Sequence, residues 1–462
     1  MVHVGFPLRQ WLNWSIVAMA TYAWISTPML LARGAGFSYE VAWGIGLVSG
    51  SLLLGAVFWR GRQAGSVLIE QFLSRLATLA PIRIVIFGIV IRVAWMLIFP
   101  AVPSSDGAVY LELAGSLLNE GRFEVAGTRA YWPPGYSLFL VPWLAVFPDS
   151  LVIAVSQLVL YAIGGFGCFK LAERLSGWRS GYLALVLFSI WPNLVALAGT
   201  PQKEMLIIAL LPWVCYFLIS KSIGAIILAG CCFGFAILVQ PSLQLLLPVT
   251  LIIIVLARGQ GRYLNAIIFV IASATVVLPW SMRNVDVLGK FVLVSTNGGS
   301  NLYRANNPMA TGGYTPRGEV DTSHLGEIEE DRTAKELAVT WITENPLKFA
   351  VLAIEKQVRF MGDDAVGVYA SLKLGKGSES ALTYAAIKLF SNLWWVSIWL
   401  IAATLALKKS KNENYHYLMI GWLYLFSIHS IFEADGKYHV PMLWVLCVWM
   451  GCAMSQNNPQ RK

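Results

Sequence analysis

The chain has 462 residues, of which 57% are hydrophobic and only 13% charged, and its formal net charge is +9. Soluble domains carry about 25% charged residues, so a soluble fold is excluded; repeated apolar runs of about 20 residues mark an integral membrane protein. Nucleic-acid binding is not the reading of the basic excess, because Lys and Arg fall in short clusters between apolar runs, the pattern of orientation signals and anionic-lipid contact.

In chain order, the apolar runs predict spans near 11–32, 40–60, 82–100, 149–171, 179–199, 203–220, 222–239, 242–257, 263–280, 384–407, 416–432 and 437–454. The fold class is therefore an all-α polytopic membrane protein of about twelve transmembrane helices, with external juxtamembrane helices and one larger external α-rich loop. The first run is long for a signal peptide, rich in Trp and followed at once by a second, so it reads as an uncleaved anchor. From Gly61 to Ala80, Leu68, Phe72, Leu76 and Leu79 form a helical stripe, which predicts a cytoplasmic surface helix. The expected organisation is an N-terminal extension (1–80), a membrane core with a first external loop at 101–148 (81–280), an external loop subdomain (281–383) and a C-terminal part with three spans and a tail (384–462).

Arg92 lies inside the third span, where a charge costs about 2.5–3.5 kcal/mol on insertion scales. It is open to two readings: contact with a lipid phosphate or internal acid, or snorkelling and pairing within the bundle.

The next stretch organises the rest. Pro103 to Tyr136 opens with one acid, Asp106, among Ser104, Ser105 and Gly107, and continues as a short amphipathic helix with Val109, Leu113 and Leu117 on one side. It closes on the aromatic, proline-rich corner Tyr131-Trp132-Pro133-Pro134-Gly135-Tyr136. A carboxylate at the mouth of a span suits a general base at the lipid–water boundary. Equally, Ser105 or Asp106 could cap the helix.

Asp106, Tyr110, Gly121 and the Pro133–Tyr136 corner resemble the first external loop of GT-C glycosyltransferases, in the branch of protein O-mannosyltransferases and lipid A aminoarabinose transferases. A second stretch, PWSMRNVDVLGKFVLVSTNGGSNLYRANNPMATGGY from Pro279, resembles the same group. The resemblance covers roughly 82–455; residues 1–80 precede it. It implies that Asp106 faces a polyprenyl-phosphate sugar as general base, with Glu204 facing the same cavity. Asn297 and Asn306, with Tyr110, Tyr136 and Tyr438, would contact substrate.

The run Pro133–Phe147 is apolar but short and carries three prolines. If it does not cross, one face collects most of the basic residues, including Arg60, Arg83, Lys170, Arg174, Arg179 and Lys408; if it crosses, the bias is largely destroyed. It is therefore expected to lie on the outer membrane surface, with both termini cytoplasmic and Asp106 outside.

Later external turns add polar groups. Thr200-Pro201-Gln202-Lys203-Glu204 places a cation beside an acid, and Glu204 could equally serve the helix dipole. Gln240 and Gln244 flank another turn. The long hydrophilic segment from Pro279 to Thr383 presents amides and hydroxyls on glycine turns, suited to a sugar or simply to a polar loop. Arg283 stands at its start, where a guanidinium can grip phosphate. Two amphipathic helices are expected to break at Glu344-Asn345-Pro346, with Pro346 in the first turn of the second. Asp363-Asp364 reads as a solvated turn. The last turn, Glu433 to Pro441, carries Lys437 and Tyr438, which match a basic and aromatic pair of the family, and His439, read as structural.

All six cysteines lie in apolar runs, which predicts no disulfide and no cysteine metal site. A divalent metal is left open and not indicated, and no D-x-D motif is present. A lipid-linked donor removes the need for that motif, because Arg283, Lys203 and Lys437 can hold its phosphate. The expected activity is transfer of a sugar (hexosyl or pentosyl) from a polyprenyl-phosphate donor to an acceptor hydroxyl on lipid, protein or polysaccharide. It is expected to invert configuration, at the periplasmic or extracellular face of the inner (plasma) membrane. The alternative is a polytopic transporter or lipid flippase; the absence of an evident internal repeat speaks against it. Within the enzyme class, a lipid diphosphate-linked donor, as for oligosaccharyl transferases, is the other reading, and the missing D-x-D and the modest external region argue against it.

Overall fold

The computed structural model describes residues 6–60, 80–220, 222–256, 261–315, 320–322, 324–374, 380–408 and 415–456. The surface helix expected within Gly61–Ala80 lies outside the described residues, apart from Ala80 itself. Helices α1 (Phe6–Gly34) and α2 (Tyr39–Arg60) form an antiparallel pair. Next come α3 (Pro81–Ile98) and the first-loop helices α4 (Ser105–Glu120) and α5 (Gly135–Val146). The core continues with α6 (Asp149–Ser176), α7 (Trp178–Ile190), α8 (Pro192–Ala196), α9 (Lys203–Leu218), α10 (Ile223–Val239), α11 (Leu247–Leu256) and α12 (Arg262–Leu288). The long hydrophilic segment holds α13 (Gly298–Ala305), α14 (Glu327–Glu344), α15 (Pro346–Gly362) and α16 (Val366–Leu372), before α17 (Ala381–Ala406), α18 (Met419–Ile428) and α19 (Leu443–Gln456).

The fold is all-α. Among the described residues, seven helices are long and apolar enough to cross a membrane, or up to nine if each of two bent pairs counts as one span. The count falls short of twelve because several apolar segments are not single long helices. The expected span 179–199 bends by 56° between α7 and α8. The segments at 242–257 and 416–432 begin as 3-10 turns, Pro241–Leu246 and His416–Leu418, leaving α-helices of 10 residues each. The α14–α15 break falls where expected, with Asn345 outside the helix and Pro346 in the first turn of α15.

The α7–α8 bend explains Arg92. Pro192 has no N–H to give the carbonyl of Phe188. Arg92 supplies donors at the bend instead, with Nη1 donating to Ser189 O (2.9 Å) and Nη2 to Phe188 O (3.5 Å), while Nη1 also donates to Gly88 O of its own helix (3.0 Å). Its guanidinium carbon lies 3.6 Å from the Tyr161 ring centroid. The residue is fully buried, and no acid pairs with it among the described residues. Of the two readings, pairing within the bundle is the one the geometry shows: Arg92 bonds backbone carbonyls rather than an acid and caps a broken helix.

Loop contacts put the polar turns on one face. Glu327, at the start of α14, accepts hydrogen bonds from the backbone N–H groups of Arg129 and Ala130, both at 2.8 Å, and Thr296 N donates to Ala130 O (2.9 Å). The first loop and the long segment are thus stitched together. Helix α5, with 12 residues, rises about 18 Å, far short of a hydrocarbon core of about 30 Å. The turn between α1 and α2 belongs to the same face, since Tyr39 Oη donates to Glu355 Oε1 at 2.5 Å.

Asp364 is not in a solvated turn. It is fully buried. Its carboxyl group accepts from Trp191 Nε1 (2.7 Å) and Asn193 Nδ2, and contacts His439 Nε2 at 3.1 Å. His439 Nδ1 must donate to Phe360 O (2.6 Å), so one proton is shared between the ring's other nitrogen and Asp364. His439 stacks on Trp395 at 4.5 Å, which makes it a packing residue that ties the last turn to the bundle. Asp363 is the more open of the pair and bonds Lys388 at 2.7 Å.

Candidate active site

Two close backbone approaches build the site. A Cβ on Gly107 would stand 2.7 Å from Pro201 O, and one on Gly436 only 1.8 Å from Asp363 O. Glycine at 107 lets the start of α4 touch the 200–204 turn; glycine at 436 seats the last external turn against the end of α15. Ser105, next to Asp106 in sequence, has φ +51, a left-handed conformation that costs a non-glycine residue on the order of 1–3 kcal/mol and collects at functional sites.

The capping reading of Asp106 fails. The residue before α4 is Ser104, and no side chain caps that helix. Asp106 Oδ2 instead receives a hydrogen bond from Lys437 Nζ at 2.5 Å, with the two side chains 38% and 26% exposed. Burial pushes the Asp106 carboxyl up, but the charge and hydrogen bond of Lys437, with the charges of Lys203 and Arg304, outweigh it and hold the group below the ordinary carboxylate value.

Around this pair stand further charges of both signs. Lys203 begins α9, with Nζ 5.9 Å from the Tyr110 ring centroid. Glu204 is 4% exposed, and its Oε2 is buried with no hydrogen-bond partner among the described residues. No side chain caps α9 either. Across the cluster, Arg304 on α13 lies 3.7 Å from Glu433 Oε1, which also accepts from Tyr438 Oη at 2.9 Å. Three cations and three carboxylates therefore gather under the folded first loop. Such a patch can hold an anion while a carboxylate removes a proton nearby. Among the described residues, no group of three or more His, Cys, Asp or Glu is placed to hold a metal ion.

No family model matches the sequence, and no curated protein matches it. Solved structures of similar fold exist. The Archaeoglobus fulgidus oligosaccharyltransferase in its apo form has a TM-score of 0.47 and 12% identity, over 81% of this chain and 50% of that one. AglB of the same organism, with an inhibitory peptide and a dolichol-phosphate, has a TM-score of 0.45 and 12% identity over the same shares. ArnT from Cupriavidus metallidurans bound to undecaprenyl phosphate has a TM-score of 0.42 and 11% identity, over 81% of this chain and 76% of that one. The chain spans half the length of the oligosaccharyltransferase structures.

Of the residues singled out by sequence, Asp106, Lys203, Glu204, Lys437, Tyr110 and Tyr438 come together. Tyr136 stands behind them: it is fully buried, edge-on to Tyr110 at 5.5 Å, and accepts from Gln157 Nε2 at 2.8 Å. It is wall rather than contact surface. Burial and then Asp106 raise Tyr110 well above the ordinary phenol value, so it stays protonated.

Three others are engaged elsewhere. Arg283 donates to Arg129 O (2.6 Å) and Phe123 O (3.1 Å) and lies 4.7 Å from the Trp280 ring centroid, so its guanidinium fastens the first loop. Asn306 is buried; its amide N–H groups donate to Leu302 O and Ile431 O, and its Oδ1 accepts from Lys356 Nζ. Asn297 accepts from Ser295 Oγ at 2.9 Å at the start of α13. Sequence pattern does not single out Arg304 or Glu433, because neither has a spacing that sets it apart from its neighbours.

An apolar cavity of about 240 Å³ lies between α9, α10, α11 and α18, with Leu211, Val214, Phe233, Ile254 and Met442 in its walls.

Proposed function

We propose that this chain is a membrane glycosyltransferase of the GT-C kind. It transfers a sugar from a polyprenyl-phosphate donor to an acceptor hydroxyl at the external face, with inversion. The observation that carries the proposal is the meeting of Asp106 with Lys437, Lys203 and Arg304 beneath the first loop, in the stretch that resembles that family.

In this reaction Asp106 takes the proton of the acceptor hydroxyl as its oxygen attacks the anomeric carbon. The bond from that carbon to the phosphate oxygen breaks on the opposite side, and the electron pair leaves with the phosphate. Lys203, Lys437 and Arg304 stabilise the charge that develops there. A single displacement inverts configuration. Glu204, with an unsatisfied buried oxygen, orients a hydroxyl of the sugar or acceptor. The isoprenoid tail runs down between the helices toward the apolar cavity. The acceptor is a lipid, protein or polysaccharide hydroxyl, and the protein sits in the inner (plasma) membrane with both termini cytoplasmic, as the distribution of Lys and Arg favours.

The test is turnover by purified protein in detergent. A transferase converts a lipid-linked sugar donor without a sealed membrane; a transporter or flippase gives no product there.

A further inference from the structure

We infer that the Lys437–Asp106 ion pair is a resting latch that the donor's phosphate opens, drawing Lys437 onto itself and giving Asp106 back its basicity only when a donor is bound. The inference rests on the transferase reading above and adds to it an order of events.

A carboxylate held 2.5 Å from an ammonium group is a weak base, because each proton it accepts costs the ion pair. A transferase that needs Asp106 as a base must therefore loosen this contact before chemistry. Lys437 is the cation suited to move. Among the described residues, Asp106 is its one hydrogen-bond partner, whereas Arg304 is engaged with Glu433 and Asn301. Both members of the latch are partly open, so a ligand can reach between them. Once Lys437 leaves, burial acts on Asp106 with less opposition and its pKa climbs.

The surrounding charges temper this without cancelling it. Lys203 and Glu204 face the pair from α9, Arg304 from α13, and Tyr110 from α4 itself. Glu433, Tyr438 and His429 lie on the neighbouring turn. Lys356, Arg359 and Asp363 come from α15 and its end, which pack against Gly436–Met442. Lys203 and Arg304 stay beside Asp106 after release, so the rise is partial. A phosphate that recruits Lys437 also screens the remaining cations.

The test compares pH profiles of the wild-type enzyme. The acid limb of kcat/KM for the donor reports the free enzyme, and that of kcat the bound complex. A latch places the kcat limb roughly 1–3 pH units higher, the usual effect of losing an adjacent opposite charge. In Lys437→Met the two limbs coincide, and donor KM rises. Coincident limbs in the wild type overturn the latch while leaving the transferase standing; absence of any turnover overturns the transferase reading instead. The wild-type comparison decides the point without any variant. A binding measurement needs no turnover: calorimetry of undecaprenyl phosphate binding to the full chain, in buffers of different ionisation enthalpy at mildly acidic pH. The phosphate itself titrates in this range, so the readout is the difference between proteins: the latch makes net proton uptake greater in the wild type than in Asp106→Asn and in Lys437→Met. Equal net proton exchange in all three proteins overturns it.

Discussion

Asp106 and Lys437 are 331 positions apart in sequence and 2.5 Å apart in space. One opens the first-loop helix and the other the final span, so the contact holds the two ends of the proposed catalytic region in register. The Asp106 carboxyl titrates below its ordinary value of 3.8. A depressed folded-state pKa adds stability above the unfolded value, and that stability is lost as pH falls through the folded value. Thermal unfolding of the wild type and Asp106→Asn in detergent should therefore differ by a constant amount from neutrality down to about pH 5. The difference should shrink below that. With side chains this open, its size is under about 1 kcal/mol.

Arg304 and Glu433 make a second, more buried pair, with side chains 21% and 8% exposed. Arg304→Ala leaves Glu433 without its cation, and a stability loss of about 1–3 kcal/mol is expected. Adding Glu433→Gln should recover part of that loss, measured as Tm. Sugar transfer should stay low in the double variant, because the phosphate has still lost a cation.

Arg283 separates a scaffold role from a phosphate role. Two of its bonds go to carbonyls of the first loop, and a lysine cannot span both. Arg283→Lys should speed proteolytic cleavage between Gly121 and Arg129 while leaving affinity for polyprenyl phosphate within a factor of about 3, less than the 1.4 kcal/mol that a tenfold change requires. A tenfold loss of affinity with unchanged proteolysis would return Arg283 to the phosphate.

Asp364 and Asp363 are adjacent and should behave differently. Asp364→Ala strips a buried carboxyl from Trp191, Asn193 and His439 and should cost about 3–5 kcal/mol. Asp363→Ala removes a partly open pair with Lys388 and should cost under about 1 kcal/mol. Denaturation of the two variants in the same detergent makes the comparison.

The legible parts of the fold were those written in local pattern. Apolar length points to the membrane class, and Pro346 marks the α14–α15 break. Pro192 and Trp191 sit inside a run that is apolar enough to read as one span, so hydropathy alone does not show the bend that Arg92 repairs. In the site, Asp106, Lys203, Glu204 and Lys437 stood out as charges at the heads of spans. Arg304 did not, because its meaning depends on Glu433, more than a hundred residues away. Arg283 and Asn306 were read as ligand groups because a guanidinium or an amide suits phosphate and sugar. The same chemistry suits backbone carbonyls, and only the folded loop tells the two uses apart. Asp364 looked solvated beside Asp363 because adjacent acids usually are; its partners arrive from three distant segments.

The central claim is that Asp106 is the base, and it is tested most directly by sugar transfer from a polyprenyl-phosphate donor by purified Asp106→Asn in detergent. The account expects a rate lower by about 10²–10⁴, with folded yield and donor binding retained. Transfer at the wild-type rate would contradict it.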